Sequence, residues 1–297
     1  MSHPSATADI TPVLVTYNSA RILPWSLPAL AGCDRIVVVD NASADDTVAT
    51  VRRLLPQARV IEAGRNLGFG RANNLGLEAV ETPYALLLNP DARLEPDALV
   101  ELREAARRWP DAAIIAPLLF DAPGVMGDFF RGPFGAPASR KPPVPEGDLC
   151  AEFVTGAAML LNMAPMRRVG FFDPWFFLYF EDDELCLRVR RAGHPIIVAA
   201  AARVEHQVRQ SSPSSARTVY RRYFCMTLSK LYLTRKTQGP QASSLAAVRI
   251  GLSSLVTLPL QLLAWRRDRL LRHAARFGAA ALSWRYLSRP HCFEPAD

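Results

Sequence analysis

The sequence predicts an α/β protein with a mainly parallel, Rossmann-like sheet flanked by helices and with a helical C-terminal extension. Short apolar runs rich in Val, Ile and Leu alternate with helical patterns from Ile10 to about Leu119, which is the signature of βαβ units. The runs are apolar almost throughout, as in strands covered on both faces. From Ser214 onward the pattern is helical, with no strand signal. At 297 residues the chain can form one large domain or a domain with an appendage.

Five apolar runs predict the strands in the first part of the chain. They are residues 11–16, 35–40, 58–61, 84–89 and 112–116. Helical patterns fill three of the stretches between these runs. They are residues 45–55, 70–80 and 96–109, and the last opens with a proline, which the first turn of a helix tolerates.

The elements that follow are less evenly spaced. Residues 121–147 are dense in Pro and Gly and predict an irregular excursion of the kind that often forms a lid or a binding loop. Residues 152–162 and 195–200 predict two further strands. Between them, residues 181–191 predict a helix whose acidic first turn complements the helix dipole.

Bulk composition indicates a globular protein of a reducing compartment. Hydrophobic residues make up 49% of the chain and charged residues 21%. The five cysteines are odd in number, far apart and without a CxxC pair, so we expect reduced thiols in a cytosolic protein. The first residues contain neither a basic segment nor a long apolar run, so no cleaved secretory signal is expected.

Positive charge is concentrated in the last third of the chain. Residues 201–297 carry 16 Lys and Arg against 4 Asp and Glu, a balance of +12, while the whole chain has a net charge of +7. Such a block attracts nucleic acid, anionic lipid or a phosphorylated substrate, and the alternative is a solvated basic face without a partner. Residues 245–265 are apolar with one charge, which favours an interfacial or hairpin-like membrane contact over a clean span; a packed helix of a soluble protein is the alternative.

Polar residues follow four of the predicted strands at their carboxyl ends, where open parallel sheets bind ligands. They lie in residues 16–18 (TYN), 40–43 (DNAS), 65–70 (RNLGFG) and 89–91 (NPD). Their hydroxyl, amide, carboxylate and guanidinium groups suit the base, ribose and diphosphate of a nucleotide. Taken singly, each group could instead shape a turn by bonding its own backbone.

Two familiar phosphate-binding motifs, GxGxxG after the first strand and GxxxxGK[ST], do not occur in the sequence. A diphosphate would therefore need another counter-charge, which a divalent cation can supply, and Asp91 is the best-placed ligand for it. His206 follows the last predicted strand, although a lone histidine is usually structural.

Seven aromatic residues between Phe171 and Phe180 run directly into four carboxylates, Glu181 to Glu184. Aromatic rings exclude water, and a carboxylate beside them can have a perturbed proton affinity that suits acid/base catalysis. The alternative is that these carboxylates merely form the first turn of a helix.

Five of these motifs, in this order, resemble family 2 glycosyltransferases of the GT-A fold, in their rhamnosyltransferase-like branch. The motifs are residues 15–18 (VTYN), 38–43 (VVDNAS), 66–74 (NLGFGRANN), 88–91 (LNPD) and 180–182 (FED). The resemblance covers about residues 10–210. It implies a catalytic domain of residues 1–210 and a basic helical extension of residues 211–297 that contacts a membrane.

The resemblance implies inverting transfer of a sugar from a nucleoside diphosphate sugar, with Mg²⁺ or Mn²⁺. Asp182 would be the general base, with Glu181 as the fallback, and Asp91 and His206 would hold the metal. Asn89 stands where the family often has a first acidic residue, and residues 207–210 (QVRQ) replace the glycine-rich segment usual after the histidine. Eight residues would contact the nucleoside or complete the nucleotide-sugar site together with Asn89: Thr16, Tyr17, Asn18, Asp40, Arg65, Asn66, Gly68 and Gly156.

The implied acceptor is a glycan or a lipid-linked saccharide of cell envelope polysaccharide, and dTDP-rhamnose is the first donor to test. The implied location is the cytoplasm, peripheral at the inner face of the cell membrane. A sugar-phosphate nucleotidyltransferase is an alternative, although no Gly-rich loop with Lys or Arg follows the first strand. A non-catalytic nucleotide- or membrane-binding protein is another. Nucleic acid is not expected as a partner, because it would explain the basic end and not the four polar strand ends.

Overall fold

The computed structural model describes residues 8–122, 125–126, 144–207, 215–263 and 267–289. Most of the excursion predicted for residues 121–147, and residues 208–210 after the histidine, lie outside these ranges. Within them, ten strands form one mixed sheet. The strands are β1 (Ile10–Thr16), β2 (Val37–Asp40), β3 (Arg59–Glu62), β4 (Tyr84–Leu88), β5 (Ala92–Leu94), β6 (Ile114–Ala122), β7 (Val125–Met126), β8 (Leu149–Cys150), β9 (Ala158–Asn162) and β10 (Ile196–His206).

The order across the sheet is β3-β2-β1-β4-β9-β6-β10-β5, with β7 beside β6 and β8 beside β10. Strands β1, β2, β3 and β4 pair in parallel, and so do β6 and β10. Because β9 is antiparallel to both β4 and β6, all six of these strands share one direction. The prediction of a mainly parallel sheet is therefore confirmed.

Helices cover the connections between the strands and form the C-terminal region. They are α1 (Leu23–Ser26), α2 (Thr47–Leu54), α3 (Phe69–Glu78), α4 (Ala98–Arg108), α5 (Met163–Val169), α6 (Glu181–Arg191), α7 (Ala216–Gln238), α8 (Pro240–Leu263) and α9 (Arg267–Tyr286), with a 3-10 helix at Leu27–Leu30. The three helices predicted between the early strands, the acidic helix and the helical C-terminal region are all confirmed.

The chain divides into two compact units. The first, called the sheet unit, comprises Met1–Leu67, Ala72–Phe172 and Asp182–Ser212. The second, called the helical unit, comprises Gly68–Arg71, Asp173–Glu181 and Pro213–Asp297. Two short segments from within residues 1–210 thus belong to the same unit as the C-terminal helices.

The core of the sheet unit lies on the central parallel strands. Val13 and Leu14 of β1 and Leu86 and Leu87 of β4 are fully buried, which explains why these runs are apolar on both faces. Helix α3 lies close to the sheet at Gly76, where an added Cβ would be 2.5 Å from Cγ1 of Val13.

Two strand predictions need correction. The segment predicted as a strand at residues 152–162 is a strand only from Ala158, which lies opposite Leu88, the last residue of β4. The strand predicted at residues 195–200 continues to His206, because its last residues pair with β5, a three-residue strand that the sequence did not indicate.

In the helical unit, α8 leaves most of its apolar side chains exposed. Within the described part of the chain it is the one helix long and apolar enough to cross a membrane, over Pro240–Pro259, and 17% of that stretch is buried. The side chains that we call the α8 stripe are 51–69% exposed. They are Leu245, Val248, Leu252, Leu255 and Val256.

Candidate functional site

Asp40 ties together the carboxyl ends of β1 and β2. Its Oδ1 accepts hydrogen bonds from Thr16 Oγ1 at 3.2 Å and from Ser43 Oγ at 2.6 Å, and its Oδ2 accepts one from the Ser43 amide at 3.0 Å. Asp40 is only 4% exposed. A carboxylate has about four lone-pair sites. These three bonds therefore leave it little capacity for a ligand, and much of its role is to shape the two strand ends.

The residues after β1 are held in a tight turn. Asn18 adopts a positive φ of 50°, its amide donates to Ser43 Oγ at 2.9 Å, and its own Oδ1 accepts from the Ala44 amide at 2.8 Å. Tyr17, which lies between Thr16 and Asn18, is 41% exposed. Of the three residues predicted here, Thr16 and Asn18 are engaged within the protein, and Tyr17 presents a ring to solvent.

Asn41, to which the sequence analysis assigned no role at the nucleotide-sugar site, connects β2 to the loop after β3. Its Oδ1 accepts from the Leu67 amide at 2.7 Å, and its Nδ2 donates to Asn66 Oδ1 at 3.1 Å. The side chain is buried. Asn41 thereby brings Asn66 to the end of β2, and Arg65 beside it is exposed. Its position next to Asp40 was the signal that could have identified it.

Asp91 and His206 meet although they are far apart in sequence. Strand β5 pairs antiparallel with β10 so that Ala92 lies opposite His206, and the Gln207 amide donates to the Asp91 carbonyl at 2.9 Å. This pairing places His206 Nε2 3.4 Å from Asp91 Oδ1, with both side chains mostly buried. The structure thus brings together the two residues predicted to hold a metal.

The donor chemistry of this pair fits a divalent cation. A carboxylate oxygen and an imidazole nitrogen this close could bind one ion, and water or phosphate oxygens would complete its shell. Among the residues that the structure describes, no group of three or more His, Cys, Asp or Glu side chains is placed to hold a metal. At this site the protein would therefore supply few of the ligands.

A backbone bridge joins the end of β4 to Asp182. The Asn89 amide donates to the Ala157 carbonyl at 2.9 Å, and the neighbouring Gly156 amide donates to Asp182 Oδ2 at 3.2 Å. Asp182 Oδ1 accepts from the Asp183 amide at 3.0 Å. Three predicted site residues, Asn89, Gly156 and Asp182, are thus brought together.

The other carboxylates of the acidic run are more buried than Asp182. Glu181, Asp183 and Glu184 are buried, whereas Asp182 is half-buried. Glu184 forms an ion pair with Arg188 at 3.0 Å, and Arg188 also donates to the carbonyls of residues 169–171, which fixes the turn before the aromatic run. Asp182 is therefore the carboxylate of the run most accessible to a substrate hydroxyl.

The aromatic run is largely interior. Phe172, Trp175, Phe176 and Phe177 are buried, while Phe171, Tyr179 and Phe180 are half-buried. In the helical unit, the chain at Gly68 approaches this run closely: an added Cβ would lie 2.2 Å from the Phe177 carbonyl oxygen, which also accepts from the Phe69 amide at 2.9 Å. Gly68 therefore has a packing role against Phe177, in addition to the role predicted for it at the nucleotide-sugar site.

Residues 12–124 match the family model described as Glycosyl transferase family 2. These residues are similar to a family 2 glycosyltransferase domain, which confirms the resemblance seen in the motifs and supports an enzyme of glycosyl transfer from a nucleotide sugar. The nucleotidyltransferase and the non-catalytic alternatives are not supported.

Two curated relatives are rhamnosyltransferases. The N-acetylglucosaminyl-diphospho-decaprenol L-rhamnosyltransferase of Mycobacterium tuberculosis is 28% identical over 240 residues, which cover 69% of this chain and 78% of the relative. The rhamnosyltransferase WbbL of Escherichia coli is 25% identical over 194 residues, covering 59% and 73%. The chain is therefore rhamnosyltransferase-like.

The fold is similar to that of a mannosyltransferase from Pyrobaculum calidifontis that was solved in complex with GDP-Man and Mn²⁺. The TM-score is 0.60 at 15% identity, with 96% of this chain and 89% of the mannosyltransferase covered. The predicted GT-A type fold is confirmed by this likeness.

Proposed function

We propose that this enzyme transfers rhamnose, with inversion, from dTDP-rhamnose to a lipid-linked saccharide of the cell envelope, with Asp182 as general base. The observation that carries the proposal is the bridge from Asn89 through Gly156 to Asp182. It joins the one half-buried carboxylate of the acidic run to the end of β4, at the sheet edge where the donor is expected. The relative from Mycobacterium tuberculosis, named for an N-acetylglucosaminyl-diphospho-decaprenol acceptor, motivates the acceptor class.

The chemistry needs one base and no covalent intermediate. Asp182 takes the proton of the acceptor hydroxyl as that oxygen forms a bond to the anomeric carbon, and the bond from this carbon to the diphosphate breaks with its electrons. A single displacement inverts the anomeric centre, so no activated Ser or Cys is required. The amides of Gly156 and Asp183 donate to one oxygen each, which contributes to the orientation of the carboxylate.

Asp91 and His206 would hold Mg²⁺ or Mn²⁺, which neutralises the departing diphosphate when bound. Support comes from the 3.4 Å between His206 Nε2 and Asp91 Oδ1. It comes also from Mn²⁺ in the complex of the structurally similar mannosyltransferase. Asn89, two residues before Asp91 in the chain, adds no charge. The site would therefore rely on diphosphate oxygens for the rest of the ion's coordination.

The donor's nucleoside and sugar would bind along the ends of β1 to β4. Tyr17, with its exposed ring, and the exposed Arg65 are the side chains best placed to contact the donor directly. Thr16, Asn18 and Asp40 would act mainly by fixing the shape of this edge, because their polar groups are already bonded within it. Asn66 is positioned by Asn41 for the same edge.

The helical unit would attach the enzyme to the inner face of a membrane. The α8 stripe supplies apolar surface, and the first turns of α9 carry the exposed residues Arg267, Arg269 and Arg272. Each arginine near an anionic surface contributes about 1 kcal/mol, and an apolar face with a basic flank is the usual composition of an interfacial helix.

A direct test of this attachment is the triple variant Val248→Ser, Leu252→Ser, Val256→Ser. These side chains are 56, 59 and 69% exposed, so immersing them contributes about 3 kcal/mol or more. We expect binding to phosphatidylglycerol vesicles to fall by roughly a hundredfold. The control is the variant Val125→Ser, Val144→Ser, which removes exposed valines from the sheet unit. Equal vesicle binding of both variants would contradict the attachment.

The function itself is tested by a thermal-shift and turnover screen of nucleoside diphosphate sugars with Mg²⁺ and with Mn²⁺. A donor that binds the folded protein raises the melting temperature by mass action. We expect dTDP-rhamnose to give the largest shift and to require a divalent ion. A panel in which another donor stabilises the protein and is turned over would refute the assignment of rhamnose.

A further inference from the structure

One face of α7 contacts the loop that leads into the base. Tyr232 stacks on Trp175 with ring centroids 3.8 Å apart and planes within 8°, and its edge meets Phe176 at 5.1 Å. Ser229 Oγ donates to the Leu178 carbonyl at 3.0 Å, one turn earlier on the helix. Both sets of contacts lie within the helical unit.

Polar bonds fix the start of the same loop. The Asp173 carboxylate accepts from Lys236 Nζ at 2.6 Å and from the Tyr232 hydroxyl at 3.2 Å. Ser229, Tyr232 and Lys236 are spaced three and four residues apart, so they share one face of α7. We call this face the α7 clamp. It engages the loop at both its beginning and its end.

The loop ends in an unusual backbone conformation. Tyr179 and Phe180 both have positive φ, 70° and 66°, which L residues with large side chains rarely adopt. Two consecutive residues of this kind persist only where surrounding contacts determine them, and such strain is concentrated at functional sites. Glu181 follows directly, and Asp182 is the next residue of the chain.

We propose that Tyr232 is a positioning residue, which through the α7 clamp holds residues 173–180 in the conformation that orients Asp182. This inference rests on the proposed function of Asp182 as base. Without the stack on Trp175, the left-handed pair would relax toward ordinary backbone angles, and the start of α6 would shift. The carboxylate would then no longer be aligned with the acceptor hydroxyl, although the donor-binding strand ends remain in place.

The test compares Tyr232→Ala with a matched control, Tyr220→Ala. Tyr220 lies on the same helix and stacks on Phe224 at 5.9 Å, so its loss also removes an aromatic pair from α7. A displacement of about 1 Å at a reacting group can lower a rate by roughly a hundredfold. We expect Tyr232→Ala to lower kcat on dTDP-rhamnose and a short-chain N-acetylglucosaminyl-diphospho-prenol by at least about tenfold. We expect its KM for the donor to stay within about twofold of wild type and Tyr220→Ala to keep wild-type kcat.

Two further variants keep the test decisive if Tyr232→Ala folds poorly. Tyr232→Phe retains the stack, and its kcat should stay within about threefold of wild type, whereas Lys236→Met should give a smaller loss of kcat than Tyr232→Ala. Unchanged kcat in both Tyr232→Ala and Lys236→Met would overturn the proposal. So would a fall in donor affinity that matches the fall in kcat, because that would mark a merely structural role.

A double-mutant comparison separates this inference from the proposed function. If the clamp acts through the base, Tyr232→Ala should not further lower the residual turnover of Asp182→Asn, because the base is already absent. If Tyr232→Ala lowered turnover by the same factor in the wild type and in Asp182→Asn, Tyr232 would not act through Asp182. Full turnover in Asp182→Asn alone would instead refute the base assignment itself.

Discussion

Gly68 and Gly64 offer a matched pair of substitutions in the stretch between β3 and α3. Both have positive φ, 81° and 71°, so alanine is strained at either position. They differ in their surroundings. A Cβ at Gly68 would lie 2.2 Å from the Phe177 carbonyl oxygen and 2.8 Å from its Cδ2, whereas a Cβ at Gly64 would meet nothing within 4 Å. The comparison therefore isolates the close approach of residues 68–71 to the aromatic run.

The expected difference follows from these distances. Left-handed backbone costs alanine about 1–2 kcal/mol at each position, and the smaller entropy of the unfolded alanine chain is common to both. At position 68 the Phe177 backbone must also move. This breaks its hydrogen bond from the Phe69 amide, worth about 0.5–1.5 kcal/mol, and adds overpacking of about 1–3 kcal/mol. Gly68→Ala should therefore be less stable than Gly64→Ala by about 2–4 kcal/mol.

Thermal unfolding of the two variants, followed by circular dichroism, measures this difference. We expect the midpoint of Gly68→Ala to lie at least about 4 °C below that of Gly64→Ala, given about 2–4 °C per kcal/mol for chains of this size class. Turnover should fall in Gly68→Ala and stay near wild type in Gly64→Ala. Equal midpoints would show that the segment does not pack against Phe177 as described.

Two more predictions concern the metal and the thiols. Asp91→Ala should lose the metal-dependent part of donor affinity and recover some of it in excess Mn²⁺, and His206→Ala should show a smaller loss. Donor titrations with and without chelator measure this affinity. The metal assignment fails if chelator does not change the donor affinity of the wild type. Iodoacetamide should label the exposed Cys150 and spare the buried Cys33, Cys186 and Cys225 until the protein is denatured. Alkylation needs the thiolate, and burial raises the pKa of these three thiols, that of Cys33 to about 11. Peptide mass spectrometry measures the labelling, and labelling of a buried thiol in the native protein would contradict the packing.

The hydrophobic pattern of the sequence was sufficient to predict the main architecture. The runs at residues 11–16 and 84–89 are buried on both faces, and such runs specify central strands without help from distant residues. The three-residue strand β5 could not be predicted this way, because Ala92–Leu94 is too short to show a period. It forms because β10 provides a partner, and that pairing also extends β10 to His206.

The sequence indicated the residues of the candidate site, and it did not indicate the hydrogen bonds that connect them. Asp91 and Asp182 stand in recognisable motifs, yet nothing in the sequence shows that Gly156 and Ala157 would link Asn89 to Asp182 through their backbone groups. The Gly156 and Ala157 groups that make these bonds are a backbone amide and a backbone carbonyl, which any residue could supply, so no side-chain pattern marks this link.

The aromatic run illustrates a second limit. Its composition predicts burial, which the structure shows for Trp175, Phe176 and Phe177. It does not predict the partner, because many faces of a later helix could accept a ring. The choice of Tyr232 depends on the path of α7, which is set by packing within the helical unit.

The central claim concerns transfer that depends on Asp182. The most direct measurement incubates wild type and Asp182→Asn with dTDP-rhamnose, Mg²⁺ and a short-chain N-acetylglucosaminyl-diphospho-prenol, and follows the acceptor by mass spectrometry. We predict that the wild type adds one rhamnose in the inverted configuration. Asp182→Asn should bind the donor nearly as well and form less than about a tenth of the product, since general bases contribute roughly a hundredfold or more. Product formation by Asp182→Asn above that level would contradict the account.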